Sequence, residues 1–121
     1  MGPRLVSKKD HSEKTGLGAF VFYPGERPIR PTEAPFWLLD FASPFEKDDT
    51  VIDLGTGTGI IPLLIALRSE VQVIVACEVS REAARIARKN ISSNKLSDRI
   101  TLRTCDYREL AFFYPEGSFS V

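Results

Sequence analysis

The chain has 121 residues, 43% of them hydrophobic, which is enough for one small domain. Its 16 Lys and Arg balance 16 Asp and Glu, so no global field draws it to nucleic acid or to an anionic membrane, and any such contact has to be local or come from further sequence. The longest apolar run, Ile60 to Leu67, is far too short to span a bilayer, and the polar start from Met1 to Lys14 lacks a signal-peptide core, so a cytoplasmic protein without membrane contact is expected.

Residues 1–18 carry Arg4, Lys8, Lys9, Asp10, His11, Glu13 and Lys14 with little periodicity and read as a flexible arm, leaving 19–121 as the domain. Ala19 to Tyr23 is β-prone and stops at Pro24-Gly25, a small strand or hairpin arm. Arg27-Pro28-Ile29-Arg30-Pro31 is stiff and extended. Thr32 is placed to cap a helix with Pro35 in its opening turn, whose packing stripe is Phe36, Leu39 and Ala42, or Leu38 and Ala42. Trp37 is open between core and the wall of a pocket, with core the favoured reading.

After a polar linker from Ser43 to Thr50, the spacing predicts a strand over Val51 to Leu54, a glycine loop, and an apolar helix over Ile60 to Arg68 that tolerates Pro62 in its first turn. Val71 to Cys77 is dense in β-branched residues without polar alternation, as in a central parallel strand covered on both faces, which makes a βαβ unit. An amphipathic helix over Ser80 to Asn90 follows, with Ala83, Ala84, Ala87 and Ile91 inward and a moderately basic outer surface read as solvated. Ile100 to Cys105 is a third strand, Tyr107 to Phe112 a short helix, Pro115 to Ser118 a turn, and Phe119 to Val121 the opening of a fourth strand. Cys77 and Cys105 then read as buried, reduced thiols, neighbours on adjacent strands, and no zinc-type cluster exists.

The loop Asp53-Leu54-Gly55-Thr56-Gly57-Thr58-Gly59 is the centre of interest. Its glycines can adopt positive φ and carry no Cβ, so a ligand can approach the backbone. A P-loop requires Lys and Ser or Thr after the last glycine, where Ile60, Ile61 and Pro62 stand. A dinucleotide fingerprint counted from Gly55 finds Ile60 at its third small position, which weakens a nicotinamide-binding reading. Asp53 before the loop repels a pyrophosphate and suits an ammonium or hydroxyl group. Glu78 ends the second strand about 20 residues on, where a carboxylate can take both hydroxyls of a ribose or cap the next helix. Asp106 follows the third strand and can accept from an adenine amine or cap Tyr107 to Phe112.

This loop resembles the first motif of the class I S-adenosylmethionine-dependent methyltransferases. The resemblance implies a Rossmann-like α/β fold with parallel strands in the order 3-2-1 and flanking helices, and S-adenosyl-L-methionine as cofactor. It places Asp53, Gly55, Thr56, Gly57 and Gly59 at the cofactor's methionine part, Glu78 at the ribose, Val79 against the adenine face, and Asp106 with Tyr107 at the adenine edge. Arg30-Pro31-Thr32-Glu33 resembles the pre-loop segment that helps close the pocket, with Arg30 as a contact or an exposed turn residue. Ala87, Asn90, Asn94 and Leu96 match an Ala-x-x-Asn-x-x-x-Asn-x-Leu pattern of nitrogen-modifying members.

Within the class, the chain is similar first to small tRNA (adenine-N6)-methyltransferases and second to the enzymes that methylate glutamine N5 of release factors. The implied partner is tRNA or another nucleic acid. Those enzymes carry an Asn-Pro-Pro-Tyr loop after their fourth strand, which these 121 residues lack, and no nucleophile and base pair or metal cluster is present. The expectation is therefore the amino-terminal, cofactor-binding part of a longer enzyme, inactive alone. Self-association is expected through the open edge of strand Val51 to Leu54 unless residues 119–121 or the arm cover it. A non-catalytic binding module of the same fold is the other reading.

Overall fold

Runs of β-branched residues alternate with helix-forming runs from residue 50 onward, and the chain folds them into two βαβ units that share a strand. The computed structural model describes residues 4–6, 20–23 and 34–121. In chain order these form strands β1 (Arg4–Val6) and β2 (Phe20–Phe22), helix α1 (Ala34–Ala42), strand β3 (Thr50–Leu54), helix α2 (Ile60–Arg68), strand β4 (Val73–Glu78), helix α3 (Arg81–Ser93), strand β5 (Ile100–Thr104) and a 3-10 helix (Tyr107–Phe112). The residues expected to form most of the arm, His11 among them, and Arg30 and Thr32 lie outside the described residues.

β4 is the middle strand of a parallel sheet. It pairs with β3 from Thr50↔Val73 to Leu54↔Cys77 and with β5 from Ile74↔Ile100 to Glu78↔Thr104. Ile74 to Cys77 are all buried, as an apolar run without alternation requires. The order 3-2-1 expected from the sequence is corrected to a sequential β3-β4-β5. Each helical crossover is short and lays its strand directly beside the one before it. The expectation of a single parallel sheet also omitted a second one, in which β1 and β2 pair antiparallel from Arg4↔Phe22 to Val6↔Phe20.

The core lies where α2 and α3 meet the parallel sheet. α2 buries Pro62 to Ala66, α3 buries Ala84, Ala87 and Ile91, and Ile91 shares one cluster with Ile74, Leu96 and Ile100. Leu63 and Leu64 are fully buried, each stabilising the fold by about 2 kcal/mol. Pro62 is accommodated because the first-turn amides of a helix have no intrahelical acceptor.

α1 departs from its expected packing. Leu39 is buried, but Ala42 is exposed, Trp37 is 68% exposed and Phe41 91% exposed, so Trp37 is not core. The helix packs on α2, where Asp40 forms an ion pair with Arg68, and a nine-residue helix held on that one side leaves Trp37 and Phe41 in solvent.

The free edge of β3 is bordered by the last two residues. Ser120 and Val121 N–H groups donate to Thr50 O at 2.8 and 3.2 Å, and Ile52 N–H donates to Val121 O at 3.0 Å. They make these bonds without forming the fourth strand expected there.

One buried amide ties three elements together. Asn90 on α3 is fully buried; its Oδ1 accepts from Tyr23 N at 2.6 Å, and its Nδ2 donates to Tyr23 O at 3.0 Å and to Thr58 O at 2.7 Å. Asn90→Ala strands those backbone groups without partners and is expected to lower unfolding free energy by about 3 kcal/mol in urea titrations. A loss within error of zero would show that water replaces the amide at no cost.

Candidate functional site

The loop between β3 and α2 is held from both sides. Gly55 and Thr56 N–H groups donate to Cys77 O at 2.9 and 3.0 Å, Gly57 N–H to Glu78 Oε1 at 2.8 Å, and Gly59 N–H to Thr56 O at 3.0 Å. Asn90 holds Thr58 from the α3 side. The glycines serve two purposes. Gly55 and Gly57, at φ 71° and 59°, have nothing within 4 Å of where a Cβ would stand, so the space above them is open to a ligand. Gly59, at φ 90°, would bring a Cβ to 3.2 Å from Ala87 Cβ and is there for close packing of α2 on α3.

Three acidic residues stand at this end of the sheet. Asp53 is the penultimate residue of β3, Glu78 the last of β4, and Asp106 lies two residues past β5. Asp53 Oδ2 and Thr56 Oγ1 are both buried without a hydrogen-bond partner, an unmet demand in a well-ordered loop. Burial pushes the Asp53 carboxyl above its ordinary value; the nearby Thr56 hydroxyl pulls it back, short of full hydrogen-bond geometry, and the charge of Glu78 pushes it up again. Glu78 accepts from Gly57 N through Oε1 and from Ser80 N through Oε2 at 2.8 Å, which fixes the carboxylate and leaves a lone pair on each oxygen.

Asp106 caps the 3-10 helix. Its Oδ1 accepts from Arg108 N at 2.9 Å and Nε at 3.0 Å, and its Oδ2 from Arg108 Nη2 at 2.7 Å. Hydrogen bonds from the Arg108 side chain, then its backbone, hold the carboxyl down to about 2. Oδ2, with one partner, keeps capacity for another donor. Val79 and Tyr107 are exposed beside these acids.

Beneath them Cys77 and Cys105 are both free, with Sγ atoms 3.6 Å apart, neighbours as their strand positions require. Burial, then Cys105, pushes the Cys77 thiol up to about 12. Cys77 is buried, whereas Cys105 is partly exposed. Among the described residues no group of His, Cys, Asp or Glu is placed to hold a metal ion, and no helix is long and apolar enough to cross a membrane.

Two residues central to this geometry carry no role in the sequence reading. Asn90 is recognisable there only as part of a pattern, and its position on the inner face of an amphipathic helix is the signal that marks it as a buried polar anchor. Ser80, whose Oγ accepts from Ala83 N at 3.3 Å, is the N-cap that starts α3 beside Glu78.

A parallel βαβαβ sheet with a tri-glycine loop after its first strand and acids closing all three strands defines a class I S-adenosylmethionine-dependent methyltransferase module. The sequence model of the ribosomal protein L11 methyltransferase (PrmA) family matches residues 36–111, more than half of the chain, and the chain belongs to that family.

Among curated relatives, the tRNA1(Val) (adenine(37)-N6)-methyltransferase of Shewanella loihica is 40% identical over 78 residues, which cover 64% of this chain and 30% of the relative. The release factor glutamine methyltransferase of Rhodopirellula baltica is 42% identical over 57 residues, 47% of this chain and 19% of its own. Of solved structures, an RNA methyltransferase from Salinibacter ruber in complex with S-adenosyl-L-homocysteine superposes with a TM-score of 0.59 at 26% identity, covering 67% of this chain and 52% of that one. The chain thus spans about 30% or less of the length of these two curated relatives.

S-adenosylmethionine is the cofactor of this module, and the residues present fit it: an orphaned carboxylate oxygen, open space over two glycines, and a carboxylate held with spare acceptors. Asp53 has a cost in the folded protein. Its raised pKa means its contribution to stability is full below the ordinary carboxylate value and is lost as pH rises through the folded value. Asp53→Asn is therefore expected to melt higher than the parent at pH 7, with the difference shrinking as pH falls through the carboxylate range. The same change is expected to weaken S-adenosylhomocysteine binding by about tenfold or more. Thermal scans across pH and calorimetric titration check both; a variant destabilised at pH 7 contradicts the burial argument.

Proposed function

We propose that this chain binds S-adenosylmethionine through Asp53, Gly55, Thr56, Gly57, Gly59, Glu78, Val79, Asp106 and Tyr107, as the cofactor-binding part of an N-methyltransferase that acts on adenine N6 of a tRNA. The observation that carries the reading is the buried, partnerless Asp53 oxygen facing a loop already fixed in shape. The cofactor supplies an electrophilic methyl group on a sulfonium sulfur.

Asp53 accepts from the ammonium of the methionine part, and the backbone at Gly55 and Gly57 admits that part where a side chain would block it. Glu78, oriented by Gly57 and Ser80 amides, takes the two ribose hydroxyls on its remaining lone pairs. Val79 offers an apolar surface to the adenine ring, Asp106 Oδ2 accepts from its amino group, and Tyr107 walls the same side. Arg30, outside the described residues, joins the set by resemblance alone, as a residue closing the pocket. Each contact uses spare capacity present before binding.

The tRNA assignment is supported by the 40% identity to an enzyme named for that substrate. The release-factor glutamine enzyme keeps a protein amide as the second reading. Both acceptors present a planar nitrogen, so the cofactor half serves either. In this proposal residues 19–121 hold the cofactor, and the methyl-accepting nitrogen is positioned by parts of the whole protein outside them.

Calorimetric titration with S-adenosylhomocysteine tests the proposal. Saturable one-to-one binding is expected, weakened on the order of 100-fold by Glu78→Ala, which removes two charge-assisted hydrogen bonds, and less by Glu78→Gln. NAD is expected to give no heat. A folded sample that binds neither would move the chain to a non-catalytic module of the same fold.

A further inference from the structure

The molecule is neutral as a whole, but its charges are segregated along the chain. Residues 34–80 hold seven Asp or Glu and two Lys or Arg, whereas residues 81–108 hold eight Lys or Arg and three Asp or Glu. Several of the latter cations are spent on structure. Arg99 donates to Val71 O and Ser69 O, Arg103 lies over the rings of Phe113 and Tyr114, and Arg108 is paired with Asp106.

The outer face of α3 is different. Arg81, Arg85, Arg88 and Lys89 are exposed along it, at a spacing of about one per helical turn over a helix ~20 Å long. None of the four forms an ion pair among the described residues. Arg88 Nη2 donates to the neutral Thr104 hydroxyl at 2.7 Å, and Lys89 Nζ lies 4.1 Å over the Tyr23 ring, so both keep their charge uncompensated. Glu82 is the sole acid on the helix.

This placement does not serve the helix. Arg81 occupies its first turn, where the macrodipole is positive and a cation is unfavourable, while the last turn carries no basic residue. A solvated face built for stability would show the reverse order and i, i+4 acid–base pairs. The face also lacks the exposed aromatic or aliphatic anchors around which protein interfaces are organised, whereas a phosphate backbone asks only for spaced cations. The stripe begins next to Glu78 and Ser80, at the cofactor end of the sheet, and runs away from it.

We infer that the outer face of α3, through Arg81, Arg85, Arg88 and Lys89, is a docking track for the phosphate backbone of a structured RNA whose reacting base is delivered to the cofactor end. The choice of RNA over another polyanion rests on the proposed tRNA acceptor. The contacts position the RNA and read no sequence.

Fluorescence anisotropy with a labelled transfer-RNA anticodon stem-loop tests this on the whole chain. Arg81→Glu/Arg85→Glu is expected to weaken binding by at least about tenfold and to reduce the slope of log affinity against log salt by about 1.5, while Lys47→Glu, in the acidic segment 34–80, leaves both unchanged. S-adenosylhomocysteine titration of the same variants is expected to match the parent. Arg81→Gln/Arg85→Gln is the milder version should the reversal impair folding, with the same direction expected. RNA affinity and salt slope unchanged in a variant that binds S-adenosylhomocysteine normally would overturn the inference. So would a parent chain with no RNA affinity, or one from which polyglutamate displaces the stem-loop as well as unlabelled RNA does. Loss of the charge effect alone sinks the track and spares the cofactor reading; failure of S-adenosylhomocysteine binding with the charge effect intact does the opposite.

Discussion

The Gly57 amide resting on Glu78 Oε1, at 2.8 Å, is the contact on which the site depends. A loop with three glycines at positive φ is entropically expensive to order, and left free it would sample many shapes. Glu78 fixes it from the end of β4, Cys77 O takes two further loop amides, and Asn90 holds Thr58 from α3. The loop is thereby shaped before a ligand arrives, and little binding energy has to be spent on ordering it. The same carboxylate also accepts from Ser80 at the start of α3, so strand, loop and helix share one anion.

That arrangement follows from the sheet. β4 lies between β3 and β5, and parallel pairing brings the carboxyl ends of all three strands to one side. Asp53, Glu78 and Asp106 meet there because each closes or follows its strand, not because they are close in sequence. The cost falls on Asp53, whose buried carboxylate has an oxygen with no partner. An acid whose burial raises its pKa and leaves one oxygen unpartnered supports the proposal that Asp53 serves a ligand rather than the fold.

Much of this is legible in the sequence. Helix Ile60–Arg68 matches its expected bounds because glycines precede it, Pro62 is confined to its first turn, and the apolar run stops at Arg68. The central strand is legible from its unbroken β-branched run, though it begins at Val73, two residues later than expected, and extends to Glu78. α1 is the counter-example: hydrophobic periodicity marks Phe36, Leu39 and Ala42 as a packing stripe, but periodicity does not state whether a surface exists to receive it, and Trp37 and Phe41 remain in solvent. Asn90 is opaque for the opposite reason. An Asn on an apolar helix face has no meaning until the backbone groups of residues 23 and 58, distant in sequence, are brought to it. Strand order and the separate β1–β2 sheet are likewise long-range outcomes that local patterns do not encode.

In the proposed reading the hydrogen-bonded loop and the acids around it form one S-adenosylmethionine site. Amide chemical-shift mapping by NMR on addition of S-adenosylhomocysteine tests it most directly. Saturable shifts confined to Gly55–Gly59, Glu78–Val79 and Asp106–Tyr107 are expected, with the far ends of α2 and β5 unmoved. Shifts centred on the opposite end of the sheet, around Phe45 and Arg68, or no shifts in a folded sample, would contradict it.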